Sequence, residues 1–299
     1  MAKNGQGASE KSHFVSPFDI DDTKGQRRSS GTGCEVENYP PFTNSNLIIK
    51  PKGPSTRPIV SPNKRLEEMR ISVIPYAGYP PGFDPLNVVN YEEIADAFSH
   101  VLYPGLFESI DEPFPENYPW YDDLFKNIQD PFPVLVTNSN LGHVGCLGEV
   151  GLTDGRSIAI RDCSDREVIL HEIGHIIHRK GIEARLTPFH YFLMWNNQWI
   201  DSLTLFNQIF GDFTETRKDS DGTTIGFFTS YAEKNPFENF AEHFAAYVYY
   251  GSSLRRKARN QQAFNSTLLG LKIRYIQRLF LNLVFEDGGR VSSWLGFNI

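Results

Sequence analysis

Apolar residues are spaced differently in the two halves of the chain. Before residue 160, short apolar runs at 71–74, 134–137 and 157–160 predict strands, and helical spacing predicts helices over 91–106 and 120–128. Asp154-Gly155, just ahead of the last of these runs, is typical of a hairpin turn and predicts that the stretch 147–152 pairs with that strand. This half therefore predicts a small lobe that contains a sheet.

After residue 160 the spacing becomes mostly helical, to about Phe285. The aromatic segment 188–195 is predicted to lie in the core of a helix. Near the end of the chain, five apolar residues follow a helical repeat and predict one buried stripe: Leu269, Ile273, Ile276, Phe280 and Leu283. A helical lobe is therefore expected to follow the strand-bearing one.

Composition and charge narrow the function classes. Apolar residues make up 40% of the chain and aromatic residues 13%, which is enough for a substantial core. The net charge of −7 argues against a protein that binds mainly nucleic acid or anionic membranes. The run 255–259 is the one dense basic cluster, and it is expected to be a solvated helix face. No segment is apolar for long enough to span a bilayer, so neither nucleic acid nor membrane is a predicted partner.

The N-terminal region differs in amino-acid composition from the rest of the chain. Residues 1–65 are rich in Gly, Ser, Asn, Pro and charge and predict a poorly ordered arm, whereas residues 66–299 predict a single domain. The first residues lack the apolar segment of a secretory leader, and three cysteines are too few for a disulfide framework. We expect a cytoplasmic protein, or one exported without a recognisable signal peptide.

One short motif carries candidate chemistry. Residues 171–175 have the form His-Glu-x-x-His, and Ser164 and Glu167 are spaced like a capping box that would begin a helix there. On a helix, His171 and His175 lie one turn apart on the same face, so both imidazoles can reach one ion. Two neutral imidazoles suit zinc, and Glu172 can take a proton from a water that attacks a carbonyl. His178, a further turn along, is expected to lie in a groove or behind the ligands.

The third ligand is expected on a later helix. Asn235 and Pro236 predict its start, and Glu238 and Glu242 lie one turn apart on one face. Two carboxylates so placed repel each other unless a cation lies nearby. In one assignment, Glu238 is the ligand and Glu242 accepts a hydrogen bond from the outer N–H of a ligating histidine. In the other, Glu238 caps the helix and Glu242 is the ligand, and the local pattern leaves both open.

These motifs resemble those of the gluzincin peptidases. The closer resemblance is to the anthrax lethal factor catalytic domain and the Pro-Pro endopeptidases, which carry a Tyr seven residues before the ligand Glu and then Phe-Ala-Glu. Tyr231 lies seven residues before Glu238, and Phe240-Ala241-Glu242 follows. The resemblance covers about residues 130–250. It departs from the family at His243, where a small residue is usual, and in the gap between the motifs (238 − 175 = 63 residues), which is longer here.

The resemblance implies roles for six residues. His171, His175 and Glu238 would ligate one Zn²⁺ per chain, Glu172 would be the general base, Tyr231 would donate to the developing oxyanion, and Glu242 would support a ligand from behind. The implied fold is α+β and zincin-like, with a small β-containing N-terminal lobe, a helical C-terminal lobe and the active-site cleft between them.

The implied activity is a zinc-dependent endopeptidase with a peptide or protein substrate. In such folds an edge strand binds the substrate, and 147–160 is the predicted edge. Two alternatives are a zinc-bearing module that binds peptides without turnover and a helical scaffold with a fortuitous motif. The pattern does not predict cleavage specificity or oligomeric state.

Overall fold

The N-terminal part of the described chain is a four-stranded sheet with three helices. The computed structural model describes residues 61–77, 91–103, 121–137, 149–151, 157–161, 165–184, 192–211, 217–219, 222–261, 268–289 and 291–294. Its first elements are α1 (Pro62–Glu68), β1 (Ile71–Ala77), α2 (Tyr91–Leu102), α3 (Tyr121–Ile128), β2 (Phe132–Thr137), β3 (Glu149–Gly151) and β4 (Ser157–Arg161). The three predicted strands and both predicted helices are present here. The predicted arm lies outside the described residues up to residue 60, and α1 begins just before the boundary predicted near residue 65.

The sheet has the strand order β1-β2-β4-β3. β1, β2 and β4 run parallel, with Val73 opposite Val134 and Val134 opposite Ile158. β3 runs antiparallel to β4, so the predicted pairing of these two segments is confirmed, while the turn at Asp154-Gly155 lies outside the described residues. Within the predicted edge segment 147–160, β3 lies at one edge of the described sheet; β1, outside this segment, lies at the other.

The C-terminal part is mostly helical. It contains α4 (Arg166–Ile176), a π-helical turn (Ile177–Glu183), β5 (Phe192–Trp195), β6 (Gln198–Asp201), α5 (Ser202–Phe210), a 3₁₀ turn (Tyr231–Glu233), α6 (Pro236–Tyr249), α7 (Gly251–Asn260), α8 (Leu268–Leu279), β7 (Leu283–Phe285) and β8 (Val291–Trp294). The described residues therefore combine helices with short strands and are mainly helical. No helix among them has both the length and the apolar character needed to cross a membrane.

Two short hairpins correct the helical prediction for this part. Within the aromatic segment predicted as helix core, the described residues Phe192–Trp195 instead form β5, which pairs with β6 through Asn196 and Asn197. Both asparagines adopt positive φ, 49° and 63°, and Asn tolerates this left-handed conformation in tight turns. The predicted stripe on α8 likewise ends early. Leu281 and Asn282 adopt positive φ, 50° and 68°, so Leu283 is buried in β7 rather than in the helix.

The basic run on α7 is solvated only in part: Arg256 and Arg259 are exposed as predicted, whereas Arg255 and Lys257 are not. Arg255 pairs with Glu286 at 2.8 Å and also donates to the carbonyl oxygen of Phe285 at 2.6 Å. Lys257 donates to the carbonyl oxygen of Phe228 at 3.0 Å and pairs with Asp219. Arg255 and Lys257 therefore make structural contacts within the fold, because carbonyl oxygens and carboxylates from neighbouring segments pair with their charged groups.

Candidate metal centre

Helix α4 carries the His-Glu-x-x-His motif, and its start is fixed by two side chains. Asp165 is its N-cap and accepts from the backbone N–H of Val168 at 3.1 Å, so the prediction that Ser164 caps the helix is wrong by one residue. Arg166 then binds α2, with its Nε 2.9 Å from a carboxylate oxygen of Glu93 and a second bond to Asp96. These bonds hold the first turn of α4 against α2, one turn before His171.

Helix α6 begins where its sequence predicts. Asn235 accepts from the backbone N–H groups of Phe237 and Glu238, both at 2.9 Å, and Pro236 occupies the first turn. Because Asn235 satisfies these N–H groups, the side chain of Glu238 is not needed as the cap and extends towards α4.

The two helices cross closely at Gly174. A Cβ placed on Gly174 would lie 3.1 Å from the Cα atom of Ala241 and 3.3 Å from the ring of Phe244. Gly174 keeps α4 narrow at this point, and α6 is the element that approaches it. A glycine weakens a helix, by about 1 kcal/mol relative to alanine. Here it lets α6 bring its first turn up to the histidines.

Three side chains from α4 and α6 converge on one point. The Nε2 atoms of His171 and His175 are 3.0 Å apart, and Oε2 of Glu238 lies 2.9 Å from the first and 3.4 Å from the second. Ligand atoms at about 2.0–2.1 Å from a tetrahedral zinc ion are themselves about 3.4 Å apart. The three donors therefore already have nearly the spacing of a ligand set, and two imidazoles with one carboxylate are donor types that zinc accepts. Within the described ranges, His171, His175 and Glu238 form a group that could hold a metal ion.

Glu242 lies behind this group. Nδ1 of His171 donates to Oε1 of Glu242 at 2.8 Å, and the carboxylate is fully buried. A proton held on Nδ1 by a carboxylate leaves the lone pair of the neutral ring on Nε2, the atom that faces His175 and Glu238. Of the two assignments open from sequence, the geometry therefore brings Glu238 to the donor group and places Glu242 at the outer nitrogen.

The electrostatics of the group favour positive charge at its centre. Burial lowers the pKa of His171, but hydrogen bonds to Glu238 and Glu242 outweigh it and raise the pKa to about 10. For Glu238, burial raises the pKa, but its bonds to the two histidines outweigh this and hold the pKa well below its usual range. Two carboxylates are thus directed at one imidazole, an arrangement that a divalent cation would stabilise.

Glu172 and Tyr231 lie next to the donor group. The side chain of Glu172 is buried, with 2% of the residue exposed, and its charge acts on both His171 and Tyr231. The ring of Tyr231 packs edge-on against that of His171, with 5.8 Å between centroids. Burial raises the pKa of Tyr231, and the charges of Glu238, Glu172 and Glu242 raise it further. Tyr231 therefore remains a neutral phenol that can donate a hydrogen bond.

His178 lies in an apolar cluster rather than in a groove. It is fully buried in the π-helical turn, its ring stacks on Phe206 at 4.1 Å, and it also touches Phe237 and Phe240. Neither ring nitrogen has a hydrogen-bond partner among the described residues, and the carboxylate of Glu183 lies 3.7 Å from Nε2. Burial lowers the pKa of His178 to about 3, and the charges of His175 and Arg179 add to this effect.

Replacing His178 by leucine should reduce the acid sensitivity of the fold. The pKa of 6.5 in the unfolded chain falls to about 3 in the folded protein, so this residue contributes stability above pH 6.5 that is lost as the pH falls towards 3. Between pH 8 and pH 5 the loss amounts to about 2 kcal/mol in the free energy of unfolding. We expect His178→Leu to lose about that much less than the wild type in urea denaturation with chelator present. Equal losses in the two proteins would contradict this prediction.

Comparisons with known proteins give little beyond this geometry. No protein-family model matches the chain, and no curated protein matches it. The chain is similar to a crystal structure, at 2.10 Å resolution, of a protein from Bacteroides caccae that carries the provisional name of zinc-binding metallo-peptidase. The identity is 18%, the TM-score is 0.34, and the match covers 74% of this chain and 91% of that one. Such a weak likeness does not establish a shared fold.

Proposed function

We propose that the protein is a zinc-dependent endopeptidase of the gluzincin type, with one zinc ion per chain. The observation that carries the proposal is the convergence of His171, His175 and Glu238, whose donor atoms lie within 4.8 Å of one another beside the buried carboxylate of Glu172. A donor group of this kind with an adjacent base is the arrangement that metal-assisted hydrolysis requires. The proposed fold is zincin-like, with the cleft between the strand-bearing and helical parts.

Zinc, when bound, would supply a Lewis acid that polarises the scissile carbonyl and lowers the pKa of water. Glu172 would take the proton of the attacking water and pass it to the amine that leaves. Its neighbour in sequence, His171, would be held in the correct tautomer by Glu242. The small exposed fraction of Glu172 supports this role, because few water molecules compete for its carboxylate.

Tyr231 would stabilise the charge that develops on the carbonyl oxygen. A neutral phenol donates a hydrogen bond that strengthens only as the oxygen becomes negative, so it stabilises the transition state more than the substrate. The edge-on contact of Tyr231 with His171 supports this role, since it places the phenol ring next to a donor residue.

Strand β3 is proposed to bind the substrate. It is one of the two outer strands of the described sheet, and it contacts α4, the helix that carries two of the donor residues. An extended peptide that pairs with an outer strand is held by backbone hydrogen bonds that do not depend on sequence. We therefore propose unfolded peptide segments as the substrate class.

Turnover tests the proposal directly. We expect the zinc-loaded protein to cut a library of unfolded peptides internally, with the new termini identified by mass spectrometry. Removal of zinc by a chelator should abolish cleavage, and added zinc should restore it. If the protein binds zinc and peptides tightly but leaves the whole library intact, it is a peptide-binding module and the proposal fails.

A further inference from the structure

A single hydroxyl group links the metal centre to the turn that carries Tyr231. Thr229 is buried, and its Oγ1 donates to Oε2 of Glu242 at 2.6 Å. The same oxygen accepts from the backbone N–H of Ala232 at 3.2 Å. Ala232 lies in the 3₁₀ turn that begins at Tyr231. Thr229 is thus hydrogen-bonded to Glu242, which holds His171, and to the turn that carries the phenol of Tyr231.

The two carboxylate oxygens of Glu242 have different hydrogen-bond partners. Oε1 accepts from Nδ1 of His171 at 2.8 Å, while Oε2 accepts from Thr229. A bond to each oxygen fixes the rotation of the carboxylate about its own axis, and this rotation sets the direction of the bond to the imidazole. Removing the hydroxyl would take a short, charge-assisted bond from a fully buried carboxylate.

The segment that presents Thr229 is held by side chains from α7 and α8. Lys272, fully buried, donates to the carbonyl oxygen of Gly226 at 2.7 Å, and its Nζ atom lies 3.8 Å from the ring centroid of Phe227. Lys257 donates to the carbonyl oxygen of Phe228 at 3.0 Å. Backbone carbonyls on the segment leading to Thr229 are therefore bound to helices outside the metal centre, which gives the hydroxyl a fixed position.

We propose that Thr229 is a positioning residue: through Glu242 it orients His171 for the metal, and through Ala232 it ties that orientation to the turn of Tyr231. This inference rests on the proposed zinc site. The two hydrogen bonds of the Thr229 side chain go to Glu242 and Ala232, neither of which is one of the three metal donors. Its effect is therefore expected first in metal affinity. Partners that orient a ligating histidine typically change metal affinity by about 10- to 100-fold when they are removed.

The test compares Thr229→Val, which keeps the shape and removes the hydroxyl, with Thr229→Ser, which keeps the hydroxyl. Zinc affinity is measured on the full chain by competition with a chromophoric chelator. We expect the valine variant to bind zinc about tenfold more weakly and the serine variant to bind like the wild type. If the valine variant does not fold, Thr229→Ala replaces it, since alanine also lacks the hydroxyl and is smaller than threonine.

A double-mutant comparison shows whether Thr229 acts through Glu242. In a Glu242→Ala background, Thr229→Val should weaken zinc binding by much less than tenfold, because the side chain that Thr229 orients is already gone. A full additional tenfold loss would overturn the proposal. Wild-type zinc affinity in Thr229→Val, or equal weakening in the valine and serine variants, would also overturn it.

The control Glu238→Ala separates this inference from the proposed function. If Glu238→Ala loses zinc while Thr229→Val binds it like the wild type, the positioning role fails and the zinc site stands. If Glu238→Ala binds zinc as tightly as the wild type, the metal site itself is misplaced, and both proposals fail.

Discussion

Replacing Glu172 with glutamine is expected to reduce peptide hydrolysis by about 10²- to 10⁴-fold, the usual contribution of a general base. Glutamine keeps the size of the side chain but cannot accept the proton of the attacking water. Glu172 is not one of the three donor residues, so the variant should retain its zinc. The rate is measured with a fluorogenic peptide chosen from the cleavage map, and zinc content is measured on the same samples.

Glu167 offers a matched control on the same helix, one turn before His171. Burial, followed by the charges of Asp165 and Glu242, raises the pKa of Glu167 to about 9, so the group is protonated at neutral pH. Glutamine resembles that neutral form, and we expect Glu167→Gln to hydrolyse peptides at nearly the wild-type rate. A Glu172→Gln variant as active as the Glu167→Gln variant would contradict the assignment of Glu172 as the general base.

Removal of the Tyr231 hydroxyl is expected to have the second-largest effect. Tyr231→Phe should lower kcat by about 10²- to 10³-fold, the loss seen when one oxyanion donor is deleted. KM should change little, because the hydrogen bond is made mainly in the transition state. Zinc content should stay the same. Burial and the three nearby carboxylates raise the pKa of Tyr231, so the rate should show no decline from tyrosine ionisation up to its ordinary pKa of 10.0.

Tyr249→Phe is the control for this variant. Tyr249 is the last residue of α6, about 16 Å along the helix axis from Glu238. Its ring packs under the guanidinium group of Arg166 at the start of α4. We expect this variant to keep the wild-type kcat. A Tyr231→Phe variant with unchanged kcat, or one in which KM alone rises, would argue against a donor to the oxyanion.

Local signals in the sequence predicted much of the candidate site. The four-residue spacing of His171 and His175 depends only on helix geometry, and Asn235 with Pro236 marks the start of α6 through backbone chemistry alone. These signals act within one or two turns, so the structure has both helices at the predicted places. The choice between Glu238 and Glu242 could not be made in this way, because it depends on how α6 crosses α4.

The features that the sequence did not predict depend on contacts between distant segments or on turn chemistry. Thr229 stands in the segment that carries the family resemblance, but its bond to Glu242 appears only when that segment folds back onto α6. The spacing of His178 along the helix predicts a position near the ligands, yet it packs against aromatic rings from α5 and α6. The hairpin at Asn196 and Asn197 was missed because an aromatic run suits a buried helix as well as a strand.

The position of the metal tests the central claim most directly. Crystals grown with zinc would give an anomalous difference map at the zinc absorption edge. We predict one strong peak per chain, about 2.0–2.2 Å from Nε2 of His171, Nε2 of His175 and a carboxylate oxygen of Glu238. A peak bound elsewhere on the chain, or one coordinated by Glu242 in place of Glu238, would contradict the site described above.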